Sequence, residues 1–180
     1  MEPLQQVLDA ARFASERHAA QKRKGAAGEP YINHLIEVAH LVSTAISEPD
    51  ANLVVAALLH DVIEDAGVTA AELTERFGPD VTALVVEVTD DKSLPKSERK
   101  RLQVVNAPKK SVRAQSIKLA DKISNVRSML ASPPADWDYR RRREYVDWAK
   151  RVVDGLAAPN PILKAEFERT LRQFDQTVRA

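Results

Sequence analysis

Apolar residues recur along this chain at spacings of three and four, and runs of strict alternation are almost absent. Ala, Leu, Glu, Arg and Lys dominate the sequence, so the pattern is that of amphipathic α-helix rather than strand. It predicts about eight or nine helices, over residues 3–19, 30–46, 50–65, 70–77, 79–89, 96–106, 111–131, 138–155 and 161–178. Several boundaries carry their own signals. Thr69-Ala70-Ala71-Glu72 reads as a capping box. Gly78 followed by Pro79 stops one helix and starts the next, and Asn160 before Pro161 is an N-cap with a first-turn proline. Gly25 to Pro30 is a polar loop with room for a short β-hairpin. With no internal repeat, linker or low-complexity stretch, the expectation is an all-α fold in one compact domain spanning residues 1–180.

Composition narrows the function. The chain has 180 residues, 44% hydrophobic and 29% charged, which suits a folded domain and argues against disorder. Lys plus Arg number 27 against 26 Asp plus Glu, so bulk charge gives no case for a nucleic-acid or membrane partner. Cysteine is absent, which removes disulfides, zinc thiolates and thiol catalysis. Met1 to Ala20 lacks the apolar stretch of a signal peptide, and no window approaches the roughly 20 apolar residues of a transmembrane helix. A cytoplasmic protein is expected.

Chemistry concentrates in the segment Leu53 to Asp65. At about 100° per residue, Val55, Leu58, Leu59, Val62 and Ile63 cover one broad side. The other presents Leu53, Ala57, His60, Asp61 and Glu64, with Asp65 at its edge. Taken singly, each acid reads as part of a solvated face. As a group they do not, because the segment is otherwise strongly apolar and contains no Lys or Arg. Carboxylates gathered this way and buried need a cation, which a metal ion would supply. His34 points inward with Val38, Leu41, Val42 and Ala45. A lone inward His is more often a hydrogen-bonded core residue than a ligand. His40 falls on the Asn33 and Glu37 side and reads as surface, and His18 as structural or solvated. In the segment 111–131 the apolar stripe is Val112, Leu119, Ile123, Val126 and Leu130. Asp121 and Asn125 lie opposite it, so periodicity alone makes them solvated.

Three motifs in order change that picture. Tyr31-Ile32-Asn33-His34, then His60-Asp61-Val62-Ile63-Glu64-Asp65, then Lys118-Leu119-Ala120-Asp121-Lys122-Ile123-Ser124-Asn125, with Thr89-Asp90-Asp91-Lys92 between, resemble the hydrolase domain of RelA/SpoT homologues. These belong to the His-Asp (HD) metal superfamily and include stand-alone small alarmone hydrolases. The resemblance runs from about Ala11 to Phe174. An adjacent His-Asp pair is a weak signal by itself; the ordered set is specific.

The resemblance implies that His34, His60, Asp61 and Asp121 are metal ligands, and that Glu64 and Asp65 are the catalytic pair orienting or deprotonating the attacking water. It implies substrate contacts at Arg23, Lys24, Asn125 and Tyr145 and, by a looser match, at Lys96 and Arg99. Leu35 departs from the proline that many members have after the histidine, and Gly25-Ala26-Ala27 is less polar than usual beside the basic pair. The expected cofactor is one divalent ion, Mn²⁺. Mixed nitrogen and oxygen ligands disfavour Mg²⁺, and four protein ligands could close the tetrahedral shell of Zn²⁺. The expected reaction is hydrolysis of the 3′-diphosphate of ppGpp or pppGpp to GDP or GTP and pyrophosphate, with no synthetase activity. Rival readings are an HD-type phosphatase on another nucleotide such as NADPH, and a non-catalytic nucleotide-binding module. Retention of Glu64 and Asp65 speaks against the second. Most other Lys and Arg, including Arg140 to Arg143, read as solubilising.

Overall fold

The computed structural model describes residues 2–177. Ten α-helices follow one another: α1 Pro3–Arg17, α2 Ile32–Ala45, α3 Ala51–Leu59, α4 Val62–Ala66, α5 Ala70–Phe77, α6 Pro79–Val88, α7 Lys96–Asn106, α8 Val112–Ala131, α9 Tyr139–Asp154 and α10 Pro161–Thr177. A single 3₁₀ turn, Ala107–Lys109, leads into α8. The expected end of the last helix at 178 lies outside the described residues. No helix among the described residues is long and apolar enough to cross a membrane.

α8 is the axis of the domain. It packs against α2, α3, α6, α9 and α10, while α3 packs against α1, α2 and α6. Ile117, Leu119, Ile123 and Val126 of α8 are fully buried, as are Phe13, Leu35, Val55, Leu59 and Phe167 around them. Being surrounded, α8 buries its polar residues as well: Gln115, Ser116, Lys118, Asp121, Lys122 and Ser124 are all buried. The periodicity of this helix therefore marks its best-packed side, and its other side is not solvated.

The predicted caps form. The Thr69 side chain accepts from the Glu72 backbone N–H at 3.2 Å, and Gly78, at φ 86°, separates α5 from α6. The Asn160 side chain accepts from the N–H groups of Ile162 and Leu163 at 2.9 and 3.1 Å.

Two expectations are adjusted. The loop at residues 25–30 forms no strands and keeps only a single rung of the hairpin it had room for. It is closed by one antiparallel bridge between Lys22 and Pro30 and by Arg23 N–H donating to Glu29 O at 2.8 Å. It is then clamped to the turn after α8, where Ala26 N–H reaches Pro133 O at 3.2 Å and Ala27 N–H reaches Ser132 Oγ at 2.9 Å. A Cβ on Gly25 would meet Ser132 O at 2.2 Å, so only glycine permits this approach. The low polarity of Gly25-Ala26-Ala27 follows: their backbone does the anchoring.

The second correction is that the helix expected over 50–65 is broken. α3 ends at Leu59, α4 begins at Val62, and Asp61 between them sits at φ −106°, ψ 0°. Neighbours on a regular helix diverge by about 100°, so an unbroken helix could not aim residues 60 and 61 at one point. The bend in the sparsely allowed bridge region resolves this. Gly67, at φ 67°, ends α4, and the N–H of the following Val68 closes the turn on Val62 O at 3.2 Å.

Candidate metal centre and substrate cleft

His34 from α2, His60 from the α3–α4 corner and Asp121 from α8 each offer a ligand atom, all within 4.8 Å of one another. Asp121 Oδ1 lies 3.4 Å from His34 Nε2 and 4.0 Å from His60 Nε2. Asp61 Oδ2 lies 3.2 Å from His60 Nε2 and 3.8 Å from His34 Nε2. The imidazole centroids stand 5.2 Å apart, at 68° to each other.

The outward ring nitrogens are engaged elsewhere. His60 Nδ1 meets the Ala57 carbonyl at 2.8 Å, and His34 Nδ1 meets Ser124 Oγ at 2.8 Å. His60 Nε2 is buried without a hydrogen-bond partner, because nearby Asp61 is not aligned to make one. A buried imidazole nitrogen facing two carboxylates is a fit for a cation, and a centre of this composition suits a divalent metal.

Electrostatics agree. Burial lowers the His34 pKa below its ordinary value, keeping the ring neutral as a ligand requires. Burial works the same way on His60, but the carboxylates of Asp61 and Asp121 outweigh it and raise that group. Burial should likewise raise Asp61, yet the facing His60 and His34 hold it well below the carboxylate range. The centre therefore favours positive charge at its middle.

Further side chains hold the carboxylates in place. The Tyr31 hydroxyl donates to Asp61 Oδ2 at 2.6 Å. Lys122 Nζ, buried with its ammonium 4.5 Å from the centre of the Trp148 ring, donates to Asp121 Oδ2 at 2.8 Å. Asn125 Nδ2 donates to Asp121 Oδ1 at 2.6 Å. Of these supports, the sequence reading placed only Asn125 at the site. Tyr31, Lys122 and Ser124 were visible as members of the motifs, but nothing in their spacing gave their roles.

Glu64 and Asp65 sit on α4 beyond the centre. Glu64 accepts the Asp90 backbone N–H at 3.2 Å and pairs with Arg99 at 3.3 Å. Burial, then the charges of Asp61 and Asp90, raises its pKa. Asp65 accepts from Gln21 at 3.1 Å and pairs with Lys92.

A cleft of about 220 Å³ is lined by Arg23, Lys24, Lys96, Asn125, Tyr145 and Asp65, among others. Arg23 donates to Asn125 Oδ1 at 3.0 Å, which links the cleft to Asp121. Burial, then the neighbouring charges of Lys24, Arg141 and Arg99, lowers the Lys96 pKa. Cations crowded like this call for an anion. Trp137 also lines the cleft, 5.8 Å centroid to centroid from Tyr145, and sequence reasoning did not single it out. Burial pushes the Tyr145 hydroxyl up to about 12, so it stays a hydrogen-bond donor at neutral pH. Arg99 is the exception among the predicted substrate contacts. It lines a separate cleft with Asp90, Asp91, Gln103 and Lys110.

Of the two other histidines, His40 is exposed, as expected. His18 is buried, stacked on Tyr31 with centroids 5.2 Å apart.

The family model of the HD domain matches residues 10–150. The Drosophila melanogaster guanosine-3′,5′-bis(diphosphate) 3′-pyrophosphohydrolase MESH1 is 44% identical over 171 residues, covering 95% of this chain and 96% of that protein. Homo sapiens MESH1, of the same description, is 44% identical, covering 96% and 97%. A solved structure of a metazoan orthologue of SpoT, described as hydrolysing ppGpp and acting in starvation responses, superposes with a TM-score of 0.89 at 44% identity, covering 93% and 94%. On these grounds the chain belongs to the HD-domain family and groups within it with the MESH1 proteins.

Proposed function

We propose that this protein is a manganese-dependent guanosine-3′,5′-bis(diphosphate) 3′-pyrophosphohydrolase, converting ppGpp or pppGpp and water into GDP or GTP and pyrophosphate. The observation that carries this reading is an adjacency. Two imidazoles and two carboxylates converge from three parts of the chain, beside a cleft whose cations crowd one another. The relationship to the MESH1 proteins supports the choice of substrate.

In this reading His34, His60, Asp61 and Asp121 hold one Mn²⁺. These nitrogen donors would favour it over Mg²⁺. When bound, the ion lowers the pKa of water and polarises the phosphoryl group. Glu64, whose pKa burial raises, accepts the water's proton. Asp65, which lines the cleft, directs the attack. Arg23, Lys24 and Lys96 neutralise the phosphates, while Asn125 ties substrate binding to Asp121. Tyr145 and Trp137 offer flat faces and a phenol to the nucleoside. The ligand, partner and substrate are thus all small and polar, and a cytosolic setting suits them.

Incubating purified protein with ppGpp and MnCl₂ tests the reading. Stoichiometric pyrophosphate and GDP are expected, and absence of pyrophosphate release overturns it. A nucleotide panel including NADPH, compared by kcat/KM, tests the substrate; a higher value for NADPH than for ppGpp would make this a different nucleotide phosphatase. Metal analysis of protein purified without chelator should find manganese.

A further inference from the structure

His34 and His60 face the same centre but are held there by different means. His60 Nδ1 meets a carbonyl three residues earlier on its own helix, at 2.8 Å. A carbonyl only accepts, so Nδ1 of His60 carries the proton and Nε2 is bare. For His34 the partner is a hydroxyl, Ser124 Oγ, which can donate or accept. Something else must decide.

That decision is made one bond further out. The Ser124 hydroxyl lies 2.6 Å from Glu37 Oε2, on the turn of α2 that follows His34. Glu37 Oε1 accepts from Arg127 at 2.8 Å, and Arg127 in turn pairs with Glu166 of α10. Beside the guanidinium Glu37 is a carboxylate, which can only accept. The hydroxyl proton is therefore committed to Glu37. Only the lone pairs of Oγ remain for the imidazole, so His34 Nδ1 carries hydrogen. In the neutral ring Nε2 is then bare, and it is the nitrogen 3.4 Å from Asp121 Oδ1 and 3.8 Å from Asp61 Oδ2.

We propose that Ser124 and Glu37 are positioning residues that fix the tautomer of His34 and so keep its Nε2 lone pair available to the metal. Without Glu37 the hydroxyl is free to turn and donate to Nδ1, which places the proton on Nε2 and blocks coordination. Without Ser124 the ring loses its anchor. This inference rests on the reading of the centre as a divalent-ion site, but not on the identity of the substrate.

The test uses the whole 180-residue chain, metal-free and histidine-¹⁵N-labelled, with Mn²⁺ alone as the probe. Long-range ¹H–¹⁵N spectra should show His34, identified by loss of its signals in His34→Asn, as the Nδ1–H tautomer. Ser124→Ala and Glu37→Leu should bind Mn²⁺ about 10–100-fold more weakly by calorimetry, the size of effect expected for an outer hydrogen-bond partner of a ligand. Ser124→Thr keeps the hydroxyl and should restore affinity. In Ser124→Ala, ppGpp turnover should recover toward the unmodified rate as Mn²⁺ is raised, with KM for ppGpp unchanged; a collapsed site would not recover. An Nε2–H tautomer, or undiminished Mn²⁺ affinity in both variants, overturns the proposal. Protein that binds Mn²⁺ with this Ser124 dependence but leaves ppGpp intact would uphold it while removing the substrate assignment. Protein that binds no divalent ion would remove both.

Discussion

The corner between α3 and α4 breaks its helix to aim His60 and Asp61 at one point, whereas α8 runs unbroken for 20 residues and delivers Asp121 from its middle. At the corner the acids keep some contact with water, with side-chain exposures of 18% for Asp61 and 23% for Asp65. Their partners are a phenol, a rim cation and an amide, and Glu64 beside them accepts one backbone N–H. In α8, Asp121 is buried beside Lys122, whose side chain is 3% exposed, and the pair neutralises itself inside the core. The corner concentrates chemistry on a short segment that can be shaped locally. α8 spends its rigidity on holding one carboxylate still, and it needs a buried counter-charge to do so.

The sharpest way to break this comparison is to remove one carboxylate from each region. Both Asp121→Ala and Asp61→Ala should lose Mn²⁺ binding and turnover outright. Urea denaturation of the metal-free proteins should separate them. Asp121→Ala strands a buried ammonium and should cost about 3–5 kcal/mol. Asp61→Ala strands a tyrosine hydroxyl and should cost about 1–3 kcal/mol. Adding Lys122→Met to Asp121→Ala should recover part of the loss. Equal destabilisation by the two single changes would refute the contrast.

Glu64→Ala tests the division of labour within the corner. Calorimetry should show Mn²⁺ retained while kcat falls about 10²–10⁴-fold, as for a lost acid–base group. A smaller effect is expected from Arg23→Ala, which contacts no proposed metal ligand directly. Removing a charged hydrogen-bonding partner worth about 1.5–3 kcal/mol should raise KM for ppGpp roughly 10–100-fold with kcat little changed.

The smallest effect concerns pH. Burial should raise the Glu37 carboxyl, but hydrogen bonds from Ser124 and Arg127 outweigh it and hold the folded value below the ordinary 4.5. A depressed carboxyl stabilises the fold above its unfolded pKa and loses that contribution as pH falls through the folded value. Glu37→Gln should therefore be less stable than the unmodified protein near neutrality, with the gap closing below pH 4.5 in thermal melts. A gap independent of pH would show that Glu37 is not held as a carboxylate.

The two regions also differ in how far the sequence discloses them. His60, Asp61, Glu64 and Asp65 stand out because four polar groups interrupt one apolar segment. The break at residue 61 is not legible, since nothing in the local pattern forbids a continuing helix. It follows from the need to turn two neighbours onto one point. Asp121 is the reverse case. The course of its helix is plain from periodicity, but the pattern puts the residue in water. What surrounds it is His34 of α2, His60 of the α3–α4 corner and Lys122 under Trp148 of α9. Resemblance to known motifs marked Asp121 where periodicity did not, and it carried no information about Lys122, Ser124 or Glu37. Arg99 shows the opposite limit: a match in sequence that the fold turns toward Glu64 and a different cleft.

Sequence by itself determined the course of the helices apart from the break at residue 61, some of their caps and the inventory of ionisable groups, because period, cap chemistry and residue type act over a few neighbours. Which ring nitrogen of His34 faces inward, which cation offsets Asp121 and which cleft receives Arg99 were decided only by tertiary structure. The first and last depend on side chains 90 and 35 residues apart in the chain meeting through space, and the second on Trp148 of α9 covering two neighbours in sequence, Asp121 and Lys122.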